Sequence, residues 1–224
     1  ILTAEIYKNQ KMLDESIIIY KKIIKIDPDY SKAFFVLGVL YYYNNEFDNA
    51  VKTLEALLNK DPDNFMAMDY LGLIYTEKKD YDKAKEYLEK ALDIKPDSDT
   101  VYFKLGLVSE IKEKTEEAEE NYKKALDINP YNIAARERLA QIYLKQKTVG
   151  KAIKEIEALT TQNPEDIDMQ IKLGILYLSE KQYEKALEKF RHSLKTRDDN
   201  TTILYYLSLT LEEMNRLDEA ATEL

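Results

Sequence analysis

The chain has 224 residues, one histidine, no cysteine, five glycines and five prolines, and its formal net charge at pH 7 is −9. The missing cysteine excludes a disulfide framework, a zinc-thiolate site, an iron–sulfur cluster and a thiol nucleophile. The acidic balance argues against a nucleic-acid binder, which normally carries a basic face. The scarcity of glycine and proline favours helices, and no apolar run is long enough to span a bilayer.

The prolines mark a repeat, because each lies 34 residues after the one before it: Pro28, Pro62, Pro96, Pro130 and Pro164. Equal spacing of a helix-breaking residue indicates structural units of equal length. Small residues follow the same period at a second position, namely Ala4, Gly38, Gly72, Gly106, Ala140, Gly174 and Ser208. Gly150 is the one glycine outside this series.

In chain order, the period predicts a partial repeat at 1–30, five full repeats at 31–64, 65–98, 99–132, 133–166 and 167–200, and a truncated repeat at 201–224. Each repeat predicts a helix A of about 13 residues, a polar turn and a helix B that ends before the proline. Five residues of capping type, two positions after each proline slot, are expected at the N-terminus of helix A: Asn64, Ser98, Asn132, Asp166 and Asn200. Helix B carries a regular alanine: Ala50, Ala84, Ala118, Ala152, Ala186 and Ala220.

The pattern resembles the tetratricopeptide repeat (TPR) family over the whole chain. The family's Leu-Gly pair falls on Leu37-Gly38, and its Tyr-Asp-x-Ala motif on Tyr81–Ala84. The resemblance implies an all-α fold, a right-handed superhelical solenoid of antiparallel helix pairs, as a single domain over 1–224. Two repeats depart from the family, because Arg136 and Gln170 occupy its large aromatic anchor position. Asp198 replaces a sixth proline, so the most altered angle between helices is expected there.

In TPR proteins, positions 5, 9 and 12 of helix A, counted from the first residue of the repeat, line a concave groove where peptides bind. These positions form one stripe at i, i+4 and i+7. The stripe of this chain is mainly apolar, whereas an ordinary surface helix would be polar there. The expected groove residues are Phe35, Val39, Tyr42, Asp69, Leu73, Phe103, Leu107, Glu137, Gln141, Ile171, Ile175, Leu178, Tyr205 and Leu209. The alternative is that these side chains bury themselves against adjacent A helices.

The stripe predicts the kind of ligand. TPR domains that hold an acidic C-terminal carboxylate carry Asn at position 9 and Lys or Arg at position 5. No repeat of this chain has either. The expected partner is therefore another protein or peptide that presents an apolar or amphipathic segment. Asp69, Glu110 and Glu137 are expected to contact basic residues of that ligand.

Three functions fit the sequence. The first is a non-catalytic protein–protein interaction scaffold. The second is a module that self-assembles into homo-oligomers through exposed repeat ends. The third is the accessory region of a larger bacterial envelope, secretion or glycosyltransferase protein, since both ends fall inside a repeat and a longer chain is expected.

The paired carboxylates and His192 are expected to lie on the surfaces of helices. We therefore expect no enzyme, no cofactor, no metal site, no nucleic-acid partner and no direct membrane insertion. Cytoplasm and periplasm both remain open.

Overall fold

The computed structural model describes residues 10–196 and 201–223, and the regular structure in those residues is α-helical. The chain divides into two compact units, unit 1 (Ile1–Ile128) and unit 2 (Asn129–Leu224). The expected all-α fold of paired helices is confirmed, whereas the single domain boundary at 1–224 stays a prediction. The small-residue position at Ala4 and the junction with Asp198 and Asn200 lie outside the described residues.

Unit 1 is a run of helices in which each described helix packs against the next. An A helix and the following B helix are joined by a three-residue turn, which makes the pair antiparallel. The bounds are α1 (Gln10–Ile26), α2 (Ser31–Tyr43), α3 (Phe47–Leu58), α4 (Phe65–Glu77), α5 (Tyr81–Ile94), α6 (Asp99–Ile111) and α7 (Thr115–Ile128).

Unit 2 repeats the same order. Its bounds are α8 (Ile133–Lys145), α9 (Val149–Gln162), α10 (Ile167–Ser179), α11 (Tyr183–Thr196), α12 (Thr201–Glu213) and α13 (Leu217–Glu223). The A helices of the two units are α2, α4, α6, α8, α10 and α12, and each has 13 residues. Each begins at the first residue of a repeat as numbered from the 34-residue period.

Helix capping follows the sequence in three of the four repeats where it can be described. The side chains of Asn64, Asn132 and Asp166 accept hydrogen bonds from the backbone N–H three residues later. The expected cap at Ser98 is wrong, because its hydroxyl lies 3.1 Å from the hydroxyl of Thr100 and caps no backbone group. These bonds satisfy N–H groups that a helix start otherwise leaves unpaired.

The turn after every A helix contains one residue in the left-handed conformation. These residues also recur every 34 positions, with φ between 57° and 61°: Asn45, Lys79, Glu113, Lys147, Lys181 and Asn215. In the first turn the N–H of Glu46 donates to the carbonyl of Tyr41, and the N–H of Asn45 donates to that of Tyr42. This is the Schellman pattern, which pairs the last carbonyls of the helix and reverses the chain.

The small residue of each A helix lets the paired B helix approach closely. A Cβ added to Gly38 would lie 2.6 Å from Leu54 Cγ, and one added to Gly174 would lie 2.6 Å from Phe190 Cε1. Real Cβ atoms essentially never come that close. The expected packing role of these glycines is therefore confirmed, and Gly150, outside the series, has no atom within 4 Å of such a Cβ.

Each unit has its own core, formed where the A and B helices meet. The core of unit 1 includes Leu54, Leu71 and Leu88, which are fully buried. The core of unit 2 includes Ile156 and Phe190, also fully buried. At roughly 1.5–3 kcal/mol per large side chain, this burial is the main favourable contribution to folding.

Two A helices of unit 2 carry polar residues where the family has a large anchor. The guanidinium of Arg136 donates to the carbonyl of Pro130 and to a carboxylate oxygen of Glu155, both at 2.8 Å. The amide of Gln170 donates to the carbonyl of Pro164 at 3.3 Å. Both residues therefore bond the proline turn six positions earlier instead of filling the site with an aromatic ring.

Candidate functional site

The A-helix stripe is defined as positions 5, 9 and 12 of the A helices, and in unit 1 its apolar side chains are half-buried. Phe35, Leu73, Phe103 and Leu107 each keep part of their surface exposed. Val39 is 6% exposed and belongs to the interior of unit 1. For Val39 the structure therefore matches the alternative of burial against neighbouring helices.

An aromatic cluster joins the stripes of α2 and α4. The ring of Tyr70 makes edge contacts with Phe35 at a centroid distance of 5.5 Å and with Tyr42 at 6.1 Å. Such perpendicular pairs are a favourable arrangement of aromatic rings. Tyr70 lies at position 6 of its helix, so a residue beside the stripe covers part of the neighbouring stripe.

The carboxylates of the stripe in unit 1 have partners within the chain. Asp69 on α4 forms an ion pair with Lys104 on α6 at 2.6 Å, and both side chains are mostly shielded from solvent. Glu110 accepts a hydrogen bond of 2.8 Å from the hydroxyl of Tyr122. Both carboxylates thus link neighbouring helices, which leaves them less open to a basic ligand than the sequence suggested.

In unit 2 the stripe changes from polar to apolar along the chain. Glu137 and Gln141 on α8 are exposed. The three stripe residues of α10 are half-buried against the core of unit 2: Ile171, Ile175 and Leu178. On α12 the residue Tyr205 is 62% exposed, beside a half-buried Leu209.

Each unit has a cavity of more than 300 Å³ that opens on the stripe. The cavity in unit 2 has a volume of about 340 Å³ and is lined by Thr201, Leu204, Tyr205, Ser208, Leu209 and Glu212. The cavity in unit 1 has a volume of about 350 Å³ and is lined by Ser31, Lys32, Phe35, Val36, Asn64 and Met66. At least one stripe residue lies in the wall of each cavity. Concave apolar surface is where ligand side chains gain most from burial.

Buried tyrosines outside the stripe hold successive repeats together. Glu55 on α3 accepts hydrogen bonds from Tyr75 at 3.3 Å and from Tyr87 at 3.2 Å, and the two rings stack at 5.5 Å. Burial, reinforced by the charge of Glu55, raises the pKa of Tyr75 to about 12. In unit 2, burial and a hydrogen bond to Glu157 likewise raise the pKa of Tyr177. These phenols stay neutral and serve packing.

The other titratable groups of the described residues lie mainly on the helix surfaces. In the residues that the structure describes, no group of three or more His, Cys, Asp or Glu side chains is placed to hold a metal ion. The perturbed carboxylates are surface ion pairs: Lys60 lowers the pKa of Asp29, and Lys112 lowers that of Asp82. Among the described helices, none has the length and apolar content needed to cross a membrane.

Comparison with protein families gives the class of the chain. Three tetratricopeptide repeat models match residues 2–30, 35–99 and 112–173, together more than half of the sequence. The chain belongs to the tetratricopeptide repeat family, whose members mediate protein–protein interactions. No catalytic family is indicated. No curated protein matches the sequence.

Solved structures with the same fold are distant in sequence. The crystal structure of YrrB, described as a TPR protein with an unusual peptide-binding site, has a TM-score of 0.62 and 23% identity, and the match covers 83% of this chain and 96% of YrrB. The MamA protein has a TM-score of 0.63 and 21% identity over 75% of this chain and 92% of MamA. PilF of Pseudomonas aeruginosa has a TM-score of 0.60 and 20% identity over 86% of this chain and 88% of PilF. These likenesses show the fold.

Reasoning from the sequence missed an edge of the stripe. Tyr43 and Glu77 occupy position 13 of their A helices, and Phe47 begins α3, yet all three line one cavity with Tyr42. The aromatic run Tyr41-Tyr42-Tyr43 was a signal, because three consecutive rings cannot all face the same core. Consecutive residues of an α-helix point 100° apart around its axis, so three in a row are spread over more than one face.

Proposed function

We propose that the chain is a non-catalytic interaction scaffold that binds an apolar or amphipathic peptide or helix along the A-helix stripe. The observation that supports this most strongly is the recurrence of partly exposed apolar side chains at the same helix positions in both units, among them Leu107, Ile175 and Tyr205. Contiguous exposed apolar surface commonly marks an interaction site.

The energetics suit a peptide contact. Complete burial of a leucine- or phenylalanine-sized side chain contributes roughly 1.5–3 kcal/mol before the cost of ordering the ligand. The stripe side chains are already half-buried, so each contributes only part of that amount. Several of them acting together support an affinity in the micromolar range, about −8 kcal/mol.

The polar residues of α8 divide the surface. Glu137 and Gln141 are exposed, and they interrupt the apolar stripe between α6 and α10 in sequence. A ligand on unit 2 is therefore expected to place apolar residues on the stripe of α10 and α12 and polar residues at α8. YrrB shares the fold and carries a described peptide-binding site, which supports the choice of a peptide as ligand.

The test uses peptides selected from a displayed random library against the whole chain, with affinities measured by fluorescence anisotropy. Leu107→Glu is expected to weaken binding at least about tenfold, since a charge would face the apolar ligand. The matched control is Ile94→Glu in the same unit, where the isoleucine is exposed at the end of α5, outside the stripe. For unit 2, Ile175→Glu is compared in the same way with Tyr131→Glu, where the tyrosine is exposed in the turn before α8.

Thermal denaturation shows whether each variant keeps its fold. Equal affinity of Leu107→Glu, Ile175→Glu and wild type for every selected peptide would contradict the proposal. Loss of binding only in the control variants would instead place the interface on another face.

A further inference from the structure

A small cavity at the edge of the stripe in unit 1 combines aromatic rings with a carboxylate. It has a volume of about 240 Å³ and is lined by Tyr42, Tyr43, Asn45, Phe47 and Glu77. These residues come from the end of α2, the turn after it, the start of α3 and the end of α4. Tyr42 is itself a stripe residue, so the cavity continues the proposed binding surface.

The rings stand at angles to each other and form walls. Tyr42 and Tyr43 have centroids 5.2 Å apart with an interplanar angle of 70°, and Tyr42 and Phe47 have centroids 6.0 Å apart at 43°. The face of an aromatic ring carries partial negative charge and attracts a cation placed within about 6 Å of its centroid.

Glu77 adds a full negative charge. Its side chain is exposed and makes no hydrogen bond or ion pair among the described residues. It lies near enough to Tyr42 to act on it: burial first, and then the charge of Glu77, raise the pKa of that phenol. The next residue, Lys78, is held by Asp48 and so does not neutralise Glu77.

Elsewhere the protein supplies its own cations to aromatic rings. A lysine ammonium lies 5.1–5.7 Å from the ring centroid of eight aromatic residues: Phe34, Tyr41, Phe65, Tyr75, Tyr87, Tyr102, Tyr143 and Tyr177. Within the described part of the chain, the rings of Tyr42 and Phe47 have no such lysine. At Tyr42 and Phe47 the cavity therefore has aromatic faces like those of these sites, without a lysine from the described residues.

We propose that the cavity of Tyr42, Tyr43, Phe47 and Glu77 binds a cationic side chain, arginine or lysine, of the partner segment that lies on the stripe of unit 1. The charge of the whole chain, −9, favours a basic partner in the same direction. This inference rests on the proposed function for the origin of the cation, because the side chain belongs to the bound segment.

The experiment uses small probes that do not require a known partner. The whole chain is titrated with N-acetyl-arginine amide and N-acetyl-lysine amide, and with their neutral counterparts N-acetyl-citrulline amide and Nα,Nε-diacetyl-lysine amide. Ring signals of tyrosine and phenylalanine are followed by NMR, and Tyr42→Phe assigns the Tyr42 signal. Each cationic probe is expected to shift the Tyr42 and Phe47 signals and to bind about fivefold more tightly than its neutral counterpart.

Glu77→Gln is expected to reduce that preference to about twofold or less, since only the rings would then attract the cation. Glu116→Gln is the matched control, because Glu116 is an exposed carboxylate of the same unit that does not line the cavity. Equal binding of cationic and neutral probes, shifts confined to other rings, or equal effects of the two substitutions would overturn the inference. Since the probes bind without a peptide, their failure is separate from failure of the stripe, which the Leu107→Glu experiment reports.

Discussion

Gly106 shows how closely the residues of one repeat are fitted. A Cβ at this position would lie 2.6 Å from Cδ1 of Tyr122, whose ring is fully buried and whose hydroxyl donates a hydrogen bond to Glu110. A rigid ring cannot move aside as a leucine end can, so close approach here needs glycine. Glycine costs about 1 kcal/mol in a helix interior, and the contact offsets that cost.

Gly106→Ala is therefore expected to destabilise the chain by about 1–3 kcal/mol, because the overpacked ring must shift. Gly150→Ala is the control, since an added Cβ there meets nothing within 4 Å, and it should stabilise by about 0.5 kcal/mol. Urea denaturation followed by circular dichroism measures both. Substitutions that change stability in the same direction would contradict this role for Gly106.

Gln170 is a residue where the sequence is not optimal for stability. Its side chain is 5% exposed, and Oε1 is buried without a hydrogen-bond partner in the described residues. A buried acceptor without a donor costs about 1–3 kcal/mol. The hydrogen bond of 3.3 Å from Nε2 to Pro164 offsets only part of this cost.

Gln170→Met is expected to stabilise the chain by about 1 kcal/mol, because it removes the unpaired acceptor and keeps the volume. Arg136→Met is expected to destabilise the chain by about 2 kcal/mol, since it leaves the shielded carboxylate of Glu155 without its cation. Thermal midpoints by calorimetry distinguish the two. Destabilisation by Gln170→Met would show that its bond to Pro164 matters more than the buried oxygen.

Between elements, the hydrogen bonds of Glu55 connect the B helix of one repeat to both helices of the next. The phenols of Tyr75 on α4 and Tyr87 on α5 share this carboxylate. Folding raises the pKa of Tyr75 from 10.0 to about 12. Between these two pH values the phenol therefore keeps its proton in the folded chain and loses it in the unfolded chain. The contribution of this phenol to the free energy of unfolding is complete below pH 10 and is lost as pH rises toward 12.

Glu55→Gln should lower the pKa of Tyr75 toward 10, since the substitution removes the negative charge beside the phenol. NMR titration of ¹³C-labelled tyrosine rings measures it, and Tyr177, which pairs with Glu157, is the internal control that should not change. An unchanged pKa of Tyr75 would mean that burial alone raises it.

The helix pairs themselves could be predicted because the period fixed the proline, the small residue and the alanine of each repeat. The left-handed turn residue could not, since lysine or glutamate stands at four of its six positions. Asparagine at Asn45 and Asn215 was the only local signal, because asparagine adopts this conformation more readily than other residues. The turn is imposed by the Schellman hydrogen bonds and by the helices that it joins.

At the scale of the whole molecule, the sequence predicted which positions form the stripe but not how exposed each side chain is. Exposure depends on the residue beside the stripe in the next repeat, as Tyr70 shows against Phe35. The ion pair of Asp69 could not be predicted from the sequence either, since its partner Lys104 lies 35 residues away. Long-range pairs of this kind follow from how repeats stack and not from one repeat's pattern.

The division into two compact units at Ile128 and Asn129 was not expected either. The boundary precedes the repeat whose stripe is polar, at Glu137 and Gln141, and whose anchor position holds Arg136. Along the sequence, the apolar stripe therefore falls into two stretches, one in each unit. Each stretch can be tested by its own substitution.

The most direct test of the stripe is a map of the bound peptide by methyl NMR of the whole chain. With a selected peptide at saturation, the largest shift changes are expected at stripe methyl groups, those of Leu73 and Leu107 in unit 1 or Ile175 and Leu209 in unit 2. Exposed methyl groups outside the stripe should change little, among them those of Ile18, Ile94 and Ile128. The largest changes at those isoleucines, with the stripe unaffected, would contradict the account.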